Sequence, residues 1–246
     1  MENSQNVNIL IPASGNNQAF AKEYWPQNVV EVNGRTMLQY AIENFAPISN
    51  KSYTIILKKE ECLKFHTNSM VQLFTSSKVQ TLQVEKETQG ALCSCLMAVQ
   101  QINNGDELII SNNDQKFDCD IKAIIEDFRN RKADAGVVTF ECVHPRWSYV
   151  RMDNNEVVEV AEKMPISKSA IAGLYYFKKG SDFVKAAKSA ILKGKDVNGK
   201  YYISAAVNEM ILMNKRILNF EINAKDYHTF YEKKLIEQYE EEMRRK

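Results

Sequence analysis

The sequence lacks an excess of charge of either sign and any long apolar run. Its 246 residues hold 32 Lys and Arg against 31 Asp and Glu, a formal net charge of +1. This balance argues against nucleic acid or an anionic membrane surface as a partner, because both attract strongly basic proteins. No apolar run approaches the roughly 20 residues of a membrane span, and the N-terminal MENSQNVN has no signal-peptide core. We therefore expect a cytoplasmic protein without membrane insertion.

The spacing of the cysteines and histidines argues against disulfides, a zinc site and a nucleophile–histidine mechanism. The five cysteines are an odd number without a CxxC pair, which argues against a disulfide framework and a zinc site. Of the three histidines, His66 falls on a predicted surface helix and His144 in a loop. Neither has a Ser or Cys partner at a catalytic spacing, so a nucleophile–histidine mechanism is not expected.

The first 140 residues alternate short apolar runs with helical periods. Such aliphatic, β-branched runs are typical of parallel strands buried on both faces. The alternation predicts an α/β fold with a mostly parallel sheet flanked by helices. The predicted strands are Val7–Ile11, Tyr53–Leu57, Val79–Val84, Glu107–Ser111 and Ala135–Phe140.

Beyond residue 145 the pattern predicts an antiparallel hairpin in the second half of the chain. Runs at Ser148–Met152 and Val157–Val160 flank a polar turn, and a strand follows at Gly173–Phe177. Helices at Ser181–Leu192 and Tyr202–Met213, a strand at Arg216–Ile222 and a charged helix from Tyr231 to Lys246 complete the prediction. No linker or repeat interrupts this order, so we predict a single domain over residues 1–246.

The loop after the first predicted strand, Pro12–Phe20, is a candidate binding loop. Ligands of open α/β sheets bind at the carboxyl ends of the strands. Ala13, Ser14 and Gly15 are small enough for backbone N–H groups to approach a ligand, and Asn16 follows them. The loop has no Arg or Lys and a single Gly, so a plain polar turn is the alternative.

The loop SNNDQ after the strand Glu107–Ser111 carries a candidate metal ligand, Asp114. Mg²⁺ commonly takes one or two protein carboxylates and completes its shell with phosphates and water. Capping of the next helix is the alternative role for Asp114. The nearby Asp118-Cys119-Asp120 has the form of a metal-binding DxD motif, but it leads into a helix and capping is the favoured interpretation.

A third candidate segment is VAEKMP, which contains Glu162 and Lys163 after the predicted hairpin. A lysine at this place can bind a phosphate as a point charge, and a glutamate can accept hydrogen bonds from sugar hydroxyls. An exposed ion pair is the alternative.

Together these segments resemble the sugar-nucleotide pyrophosphorylases, the GT-A-like sugar-phosphate nucleotidyltransferases, over nearly the whole chain. IPASGNNQAF and YWPQNVVEVNGRTMLQYAIENF are similar to the signature loop and its PKP-containing continuation. ETQGALCSCLMA resembles the segment that contacts base and ribose, and ELIISNNDQ the strand with the metal-binding aspartate. WSYVRMDNNEVVEVAEKMPIS with AGLYYFKKGSDF resembles a subgroup tied to capsule or other surface-polysaccharide synthesis, and AKDYHTF a segment with a second metal aspartate.

The resemblance implies a Rossmann-like fold in which residues 1–140 form a nucleotide-binding half and residues 141–246 an acceptor-binding half. It implies transfer of a nucleotidyl group from a nucleoside triphosphate to a phosphorylated small-molecule acceptor, with release of pyrophosphate and with Mg²⁺ as cofactor. The residue roles that it implies follow. Catalysis falls to Asp114 and Lys163; nucleotide binding to Ala13, Ser14, Gly15, Asn16, Gln89, Gly90 and Asn113; acceptor binding to Glu162, Lys163, Gly173 and Tyr175; metal binding to Asp114 and Asp226.

The sequence departs from the family pattern at reactive positions. The signature arginine falls on Ala19 and the PKP lysine on Gln27, while Lys22 and Arg35 flank these gaps as candidate replacements. In phosphoryl chemistry, loss of one charged contact commonly costs a factor on the order of hundreds in rate. We therefore expect altered chemistry. A GT-A glycosyltransferase with a nucleotide-sugar donor and a catalytically silent nucleotide-binding protein are the alternatives.

Overall fold

A computed structural model describes residues 6–245 of the chain. In chain order its strands are β1 (Val7–Pro12), β2 (Glu31–Val32), β3 (Arg35–Thr36), β4 (Lys51–Lys58), β5 (Lys78–Val84), β6 (Glu107–Ser111), β7 (Gln115–Phe117), β8 (Ala135–Glu141), β9 (Ser148–Asp153), β10 (Glu156–Glu162), β11 (Ser169–Phe177), β12 (Ile217–Glu221) and β13 (Tyr227–Thr229). Its α-helices are α1 (Met37–Glu43), α2 (Lys59–Phe65), α3 (Thr67–Met70), α4 (Ala91–Leu96), α5 (Val99–Ile102), α6 (Ile121–Asn130), α7 (Gly180–Leu192), α8 (Ile203–Leu212) and α9 (Lys233–Arg245). Lys246, the end of the predicted last helix, lies outside the described residues.

The central sheet is mixed and mostly parallel. Strands β5, β4, β1 and β6 lie side by side and run parallel, and β12 runs parallel to β8. Strand β11 lies antiparallel between β6 and β8 and joins the two parallel groups. The hairpin β9–β10 adds to the beginning of β11 through a bridge between Tyr149 and Ala170. The predicted α/β fold with an antiparallel hairpin is confirmed, with β11 beginning four residues earlier than predicted, at Ser169.

The core occupies both faces of the sheet. Successive side chains of a strand point to opposite faces, so Ile9 and Ile11 of β1 pack into one apolar cluster and Leu10 into the other. Ile125 of α6 belongs to the first cluster and Phe183 of α7 to the second. Burial on both faces explains why the parallel strands have almost continuous apolar sequences.

A third apolar cluster ties the C-terminal helix α9 to the end of the opening loop. Although the end of α9 is strongly charged, its Ile236 and Tyr239 are buried. They pack with Phe20, which ends a short 3₁₀ helix at Gln18–Phe20. The cluster therefore anchors the loop that follows β1. Its buried members are Phe20, Val32, Met37, Tyr40, Phe230, Ile236 and Tyr239.

A two-stranded ribbon, β7 with β13, fixes the backbone around Asp114. Thr229 pairs with Gln115 in antiparallel register, and the Phe230 amide donates to the Asp114 carbonyl at 2.8 Å. The sequence did not predict this ribbon. Because β7 follows Asp114 directly, Asp114 caps no helix, and that alternative is excluded.

A bulge in β11 places a glycine against the loop after β6. The pairing of β11 with β8 shifts between Ile171 and Tyr175, and Gly173 between them has a φ of +62°. A Cβ at this position would lie 2.3 Å from the Asn112 Nδ2. The Gly173 carbonyl accepts hydrogen bonds from the Asn112 amide and the Gln115 side chain, both at 3.0 Å. Glycine is therefore required here by both backbone conformation and space.

None of the helices within residues 6–245 combines the length and the apolar character that crossing a membrane requires.

Candidate active site

A cleft of about 610 Å³ opens at the carboxyl ends of β1 and β6. Strand β11 and the ends of the hairpin β9–β10 form its opposite side. Residues from both halves of the chain therefore meet in it. Charged or polar side chains that line it include Asn16, Gln18, Glu87, Asn112, Asp114, Arg146, Ser148, Glu162, Lys163, Lys200, Tyr202 and Tyr231.

Asp114 lies in this cleft, and its carboxylate contacts Gln27. The Gln27 Nε2 donates to the Asp114 Oδ2 at 3.2 Å. Burial raises the pKa of Asp114 to about 6, although the bond from Gln27 and the positive charge of Arg146 both lower it. A desolvated carboxylate is costly to keep ionised, so a cation that neutralises it gains binding energy there. The residue in the place of the family's PKP lysine thus contacts the candidate metal ligand directly.

The opening loop reaches the cleft, but not through every residue predicted to bind nucleotide. Gly15 and Asn16 line it as predicted. Ala13 is a correction: its amide donates to the Ile56 carbonyl at 2.9 Å and its carbonyl accepts from Asn28, so its backbone is not available to a ligand. Ser14 is buried with its hydroxyl 3.5 Å from that of Ser94.

A polar bridge crosses the mouth of the cleft through Glu87. The Asn16 Nδ2 donates to one Glu87 oxygen at 2.9 Å, and the Lys200 Nζ lies 3.3 Å from the other. All three side chains are at the surface, so the bridge contributes little to stability. Its geometry links the opening loop to the segment before α8.

Glu162 is held by two serine hydroxyls on the opposite side of the cleft. Ser148 and Ser204 both donate to its Oε2, the latter at 2.8 Å. Burial raises the pKa of Glu162, while these two hydrogen bonds and Lys163 lower it. Tyr175 and Gly173, which the sequence analysis assigned to the same acceptor site, also line the cleft. Oε1 accepts from neither serine, which leaves an oxygen suited to a substrate hydroxyl.

Lys163 does not pair with its neighbour Glu162 as the ion-pair alternative supposed. Its Nζ donates to the Tyr202 hydroxyl at 2.6 Å and lies 4.8 Å from the centre of that ring. The hydrogen bond to Tyr202 is the main cause of a raised pKa of Lys163, which keeps the ammonium charged. Tyr202 thus positions a cation that faces the cleft, a role that the sequence did not reveal.

Arg146 is the cleft residue that the sequence analysis missed most clearly. It lies in the loop between β8 and β9, with its guanidinium 4.6 Å from the centre of the Trp147 ring and 6.0 Å from that of Tyr231. The signal was present in HPRW, an arginine beside an aromatic residue after a predicted strand. By contrast, Lys22 and Arg35 do not line the cleft, and Arg35 pairs with Glu43 at 2.7 Å.

Three further predicted residues do not line the cleft. Gln89 is exposed and its carbonyl accepts from the Tyr201 amide, although its neighbour Gly90 lines the cleft. The Asn113 side chain donates to that of Asn28 at 2.7 Å. Asp226 precedes β13, and its carbonyl accepts from the Asp118 amide at the opposite end of the ribbon from Asp114.

The DxD segment Asp118-Cys119-Asp120 lies at the start of α6. Asp120 accepts a hydrogen bond from the Ala123 amide at 3.1 Å and caps α6, so the capping interpretation is confirmed. Within residues 6–245, no three His, Cys, Asp or Glu side chains are grouped to hold a metal ion. A single carboxylate such as that of Asp114 is compatible with Mg²⁺ of the kind that is bound by one protein carboxylate and completed by substrate phosphates and water.

The sequence itself identifies the family of the chain. A family model described as nucleotidyl transferase matches residues 20–221. The chain belongs to the nucleotidyl transferase family. The match covers most of the sheet, Asp114 and the segment with Glu162 and Lys163. It begins at the last residue of the opening loop, Phe20. A search of curated protein sequences finds no match.

Solved structures share the nucleotidyl transferase fold at low sequence identity. The nucleoside-diphosphate-sugar pyrophosphorylase from Vibrio cholerae RC9 is 19% identical, with a TM-score of 0.83 over 95% of this chain and 99% of that one. An apo UDP-glucose pyrophosphorylase is 14% identical, with a TM-score of 0.79 over 98% and 99% of the two chains. The inositol-1-phosphate CTP transferase from T. maritima is 11% identical, with a TM-score of 0.74 over 98% of both. At these identities the likeness shows the fold.

Proposed function

We propose that this protein transfers a nucleotidyl group from a nucleoside triphosphate to a phosphorylated small molecule, such as a sugar phosphate, and releases pyrophosphate. The observation that carries the proposal is the meeting of Asp114, Lys163 and Glu162 in one cleft of a nucleotidyl transferase. Three solved relatives named above are pyrophosphorylases or a CTP transferase that acts on a phosphorylated molecule. The two halves of the chain then supply the nucleotide side and the acceptor side of the cleft.

In the proposed reaction an oxygen of the acceptor phosphate attacks the α-phosphorus of the nucleotide. A new P–O bond forms, the bond between the α-phosphorus and the oxygen that bridges to the β-phosphorus breaks, and pyrophosphate leaves with the electron pair. No side chain forms a covalent bond, so the residues act by positioning and by neutralising charge. Mg²⁺ held by Asp114 supplies positive charge to the phosphates when it is bound.

The residues of the chain divide this work. Lys163, charged and fixed against Tyr202, donates to the acceptor phosphate. Glu162, whose Oε2 is occupied by two serines, accepts a hydrogen bond from an acceptor hydroxyl through Oε1. Gly15 and Asn16 contact the nucleotide from the opening loop. Gly90 with its φ of +105° allows the chain to turn closely at the side of the cleft next to Tyr201.

The biological setting that we propose is the synthesis of surface-polysaccharide precursors in the cytoplasm, where nucleoside triphosphates are available. Its support is the likeness of the segment from Trp147 to Ser167, and of AGLYYFKKGSDF after it, to the capsule-related subgroup. We keep Asp226 as a predicted second metal ligand. Because it lies at the opposite end of the β7–β13 ribbon from Asp114, its side chain would have to move towards Asp114 to bind the same metal ion.

The test is release of pyrophosphate from a panel of nucleoside triphosphates and phosphorylated acceptors with Mg²⁺. We expect one pair to release pyrophosphate only when both substrates are present, and the Asp114→Ala variant to be inactive with that pair. Asp153→Ala, which removes an exposed carboxylate at the end of β9, serves as the control. No release from a broad panel would contradict the proposal. Tighter binding of nucleotide-sugars than of triphosphates would then favour a glycosyltransferase.

A further inference from the structure

Because the signature arginine is missing, another side chain has to supply positive charge to the substrate phosphates in the cleft. Ala19, which stands in its place, is exposed and does not line the cleft. Three cationic side chains of the described residues do line it: Arg146, Lys163 and Lys200. Their existing contacts decide which of them has the most donors to spare for a substrate.

Two of these cations are already bonded to protein. The Lys163 Nζ donates to Tyr202 at 2.6 Å, and the Lys200 Nζ lies 3.3 Å from Glu87. Among the residues from 6 to 245, the one ion pair of the Arg146 guanidinium is with Glu232, at 3.6 Å from its Nη1 to the Glu232 Oε1. Its Nε is buried and makes no hydrogen bond within the described part of the chain. A guanidinium has five N–H donors, so Arg146 holds the largest unsatisfied donor capacity in the cleft.

A buried donor without a partner costs free energy, commonly about 1–3 kcal/mol. Such a cost is repaid when a ligand supplies the missing acceptor. The guanidinium lies 4.6 Å from the centre of the Trp147 ring and 6.0 Å from that of Tyr231, and it lines the same cleft as Asp114. Arg146 is therefore packed against aromatic rings, lies in the cleft of the candidate metal ligand and is short of acceptors.

We propose that Arg146 binds a phosphate group of the substrates in this cleft and so supplies the positive charge that the opening loop lacks. The inference rests on the proposed function. A planar guanidinium matches two oxygens of a phosphate with parallel hydrogen bonds, which the point charge of a lysine does not. The phosphate belongs to the nucleoside triphosphate or to the acceptor, and the two are separated by experiment.

The experiment measures affinity by titration calorimetry in the presence of Mg²⁺, without turnover. Wild type, Arg146→Gln and Arg146→Lys are each titrated with the nucleoside triphosphate alone, the sugar 1-phosphate alone and the unphosphorylated nucleoside. Arg151→Gln is the matched control, because Arg151 is exposed and pairs with Glu159 on the hairpin. Melting temperatures of all variants identify any loss of folding.

We expect Arg146→Gln to weaken one of the two phosphorylated ligands by about 10- to 100-fold, as removal of a hydrogen bond to a charged group does, and to leave the nucleoside unchanged. Arg146→Lys should lose less, and Arg151→Gln nothing. A loss confined to the triphosphate assigns Arg146 to the nucleotide, and a loss confined to the sugar phosphate assigns it to the acceptor. If Arg146→Gln does not fold, Arg146→Lys should still show a several-fold loss.

Two results would overturn the inference alone. One is unchanged affinity of Arg146→Gln for both phosphorylated ligands in a protein whose wild type binds them. The other is an equal loss for the nucleoside, which would indicate a packing role beside Trp147. Wild-type protein that binds neither phosphorylated ligand would overturn the inference together with the proposed function.

Discussion

Replacement of Asp114 by asparagine should make the ligand-free protein more stable while removing its metal-dependent binding. Burial raises the pKa of Asp114 from the ordinary 3.8 to about 6. This difference corresponds to about 3 kcal/mol, by which the ionised carboxylate destabilises the folded state at pH 8. Asparagine removes that cost and keeps an acceptor for Gln27, and the net pKa shift already contains the attraction of Asp114 to Arg146. We therefore expect a gain of at most about 3 kcal/mol at pH 8.

The sign of the pH dependence follows from a raised pKa. The folded protein holds the proton more tightly than the unfolded chain, so the stability that protonation supplies is complete below pH 3.8 and is lost as the pH rises through about 6. The advantage of Asp114→Asn is thus largest at pH 8 and should fall to about half at pH 5.

Urea denaturation of the metal-free protein at pH 8 and pH 5 measures this effect, with Asp153→Asn at the exposed end of β9 as the isosteric control. Calorimetry with Mg²⁺ and nucleoside triphosphate should show no metal-dependent binding by Asp114→Asn. A variant that is less stable than wild type at pH 8, or a gain that does not change with pH, would refute the electrostatic reasoning.

Three further variants test other parts of the structure. Ala19→Arg combined with Gln27→Lys restores the family's two cations and, if the fold presents these positions to the phosphates, should raise kcat/KM for pyrophosphate release by about 10- to 100-fold; no gain would mean that the two positions do not face the phosphates. Gly90→Ala should lower the free energy of unfolding, measured with urea, by at least about 2 kcal/mol, because φ is +105° and the new Cβ would lie 2.4 Å from the Tyr201 carbonyl oxygen. A decrease below about 0.5 kcal/mol would contradict that contact. Arg129→Ala leaves the buried Glu107 carboxylate without its 2.9 Å partner and should cost about 2–4 kcal/mol by the same assay, against a negligible change for an exposed arginine.

The sequence predicted the fold well where structure depends on local periodicity. Strand β6 is found with the predicted bounds, and the turn at Asn154 and Asn155 has the positive φ angles of 47° and 65° that favour asparagine in hairpins. The ribbon of β7 with β13 was missed because each strand has three residues and their pairing joins Gln115 to Thr229. Such contacts between distant short segments leave no periodic signal.

The candidate site could be predicted only in part for the same reason. Strand ends fixed the place of Asp114, because the carboxyl ends of parallel strands share one edge. Ala13 was assigned wrongly because the amide it offers is taken by the neighbouring strand β4. Arg146 had only the weak sequence signal of an arginine beside Trp147, since its unpartnered donor and its place in the cleft depend on how the loop after β8 folds.

The most direct measurement of the proposed chemistry is ³¹P NMR of the enzymatic reaction. Its substrates are the nucleoside triphosphate and the phosphorylated acceptor that the panel identifies by their release of pyrophosphate. Transfer of a nucleotidyl group predicts the signals of pyrophosphate and of a new diphosphate in equal amounts, with the α-phosphorus and the acceptor phosphorus coupled to each other. Inorganic phosphate in place of pyrophosphate, or an acceptor phosphorus that remains a monoester, would contradict nucleotidyl transfer in this cleft.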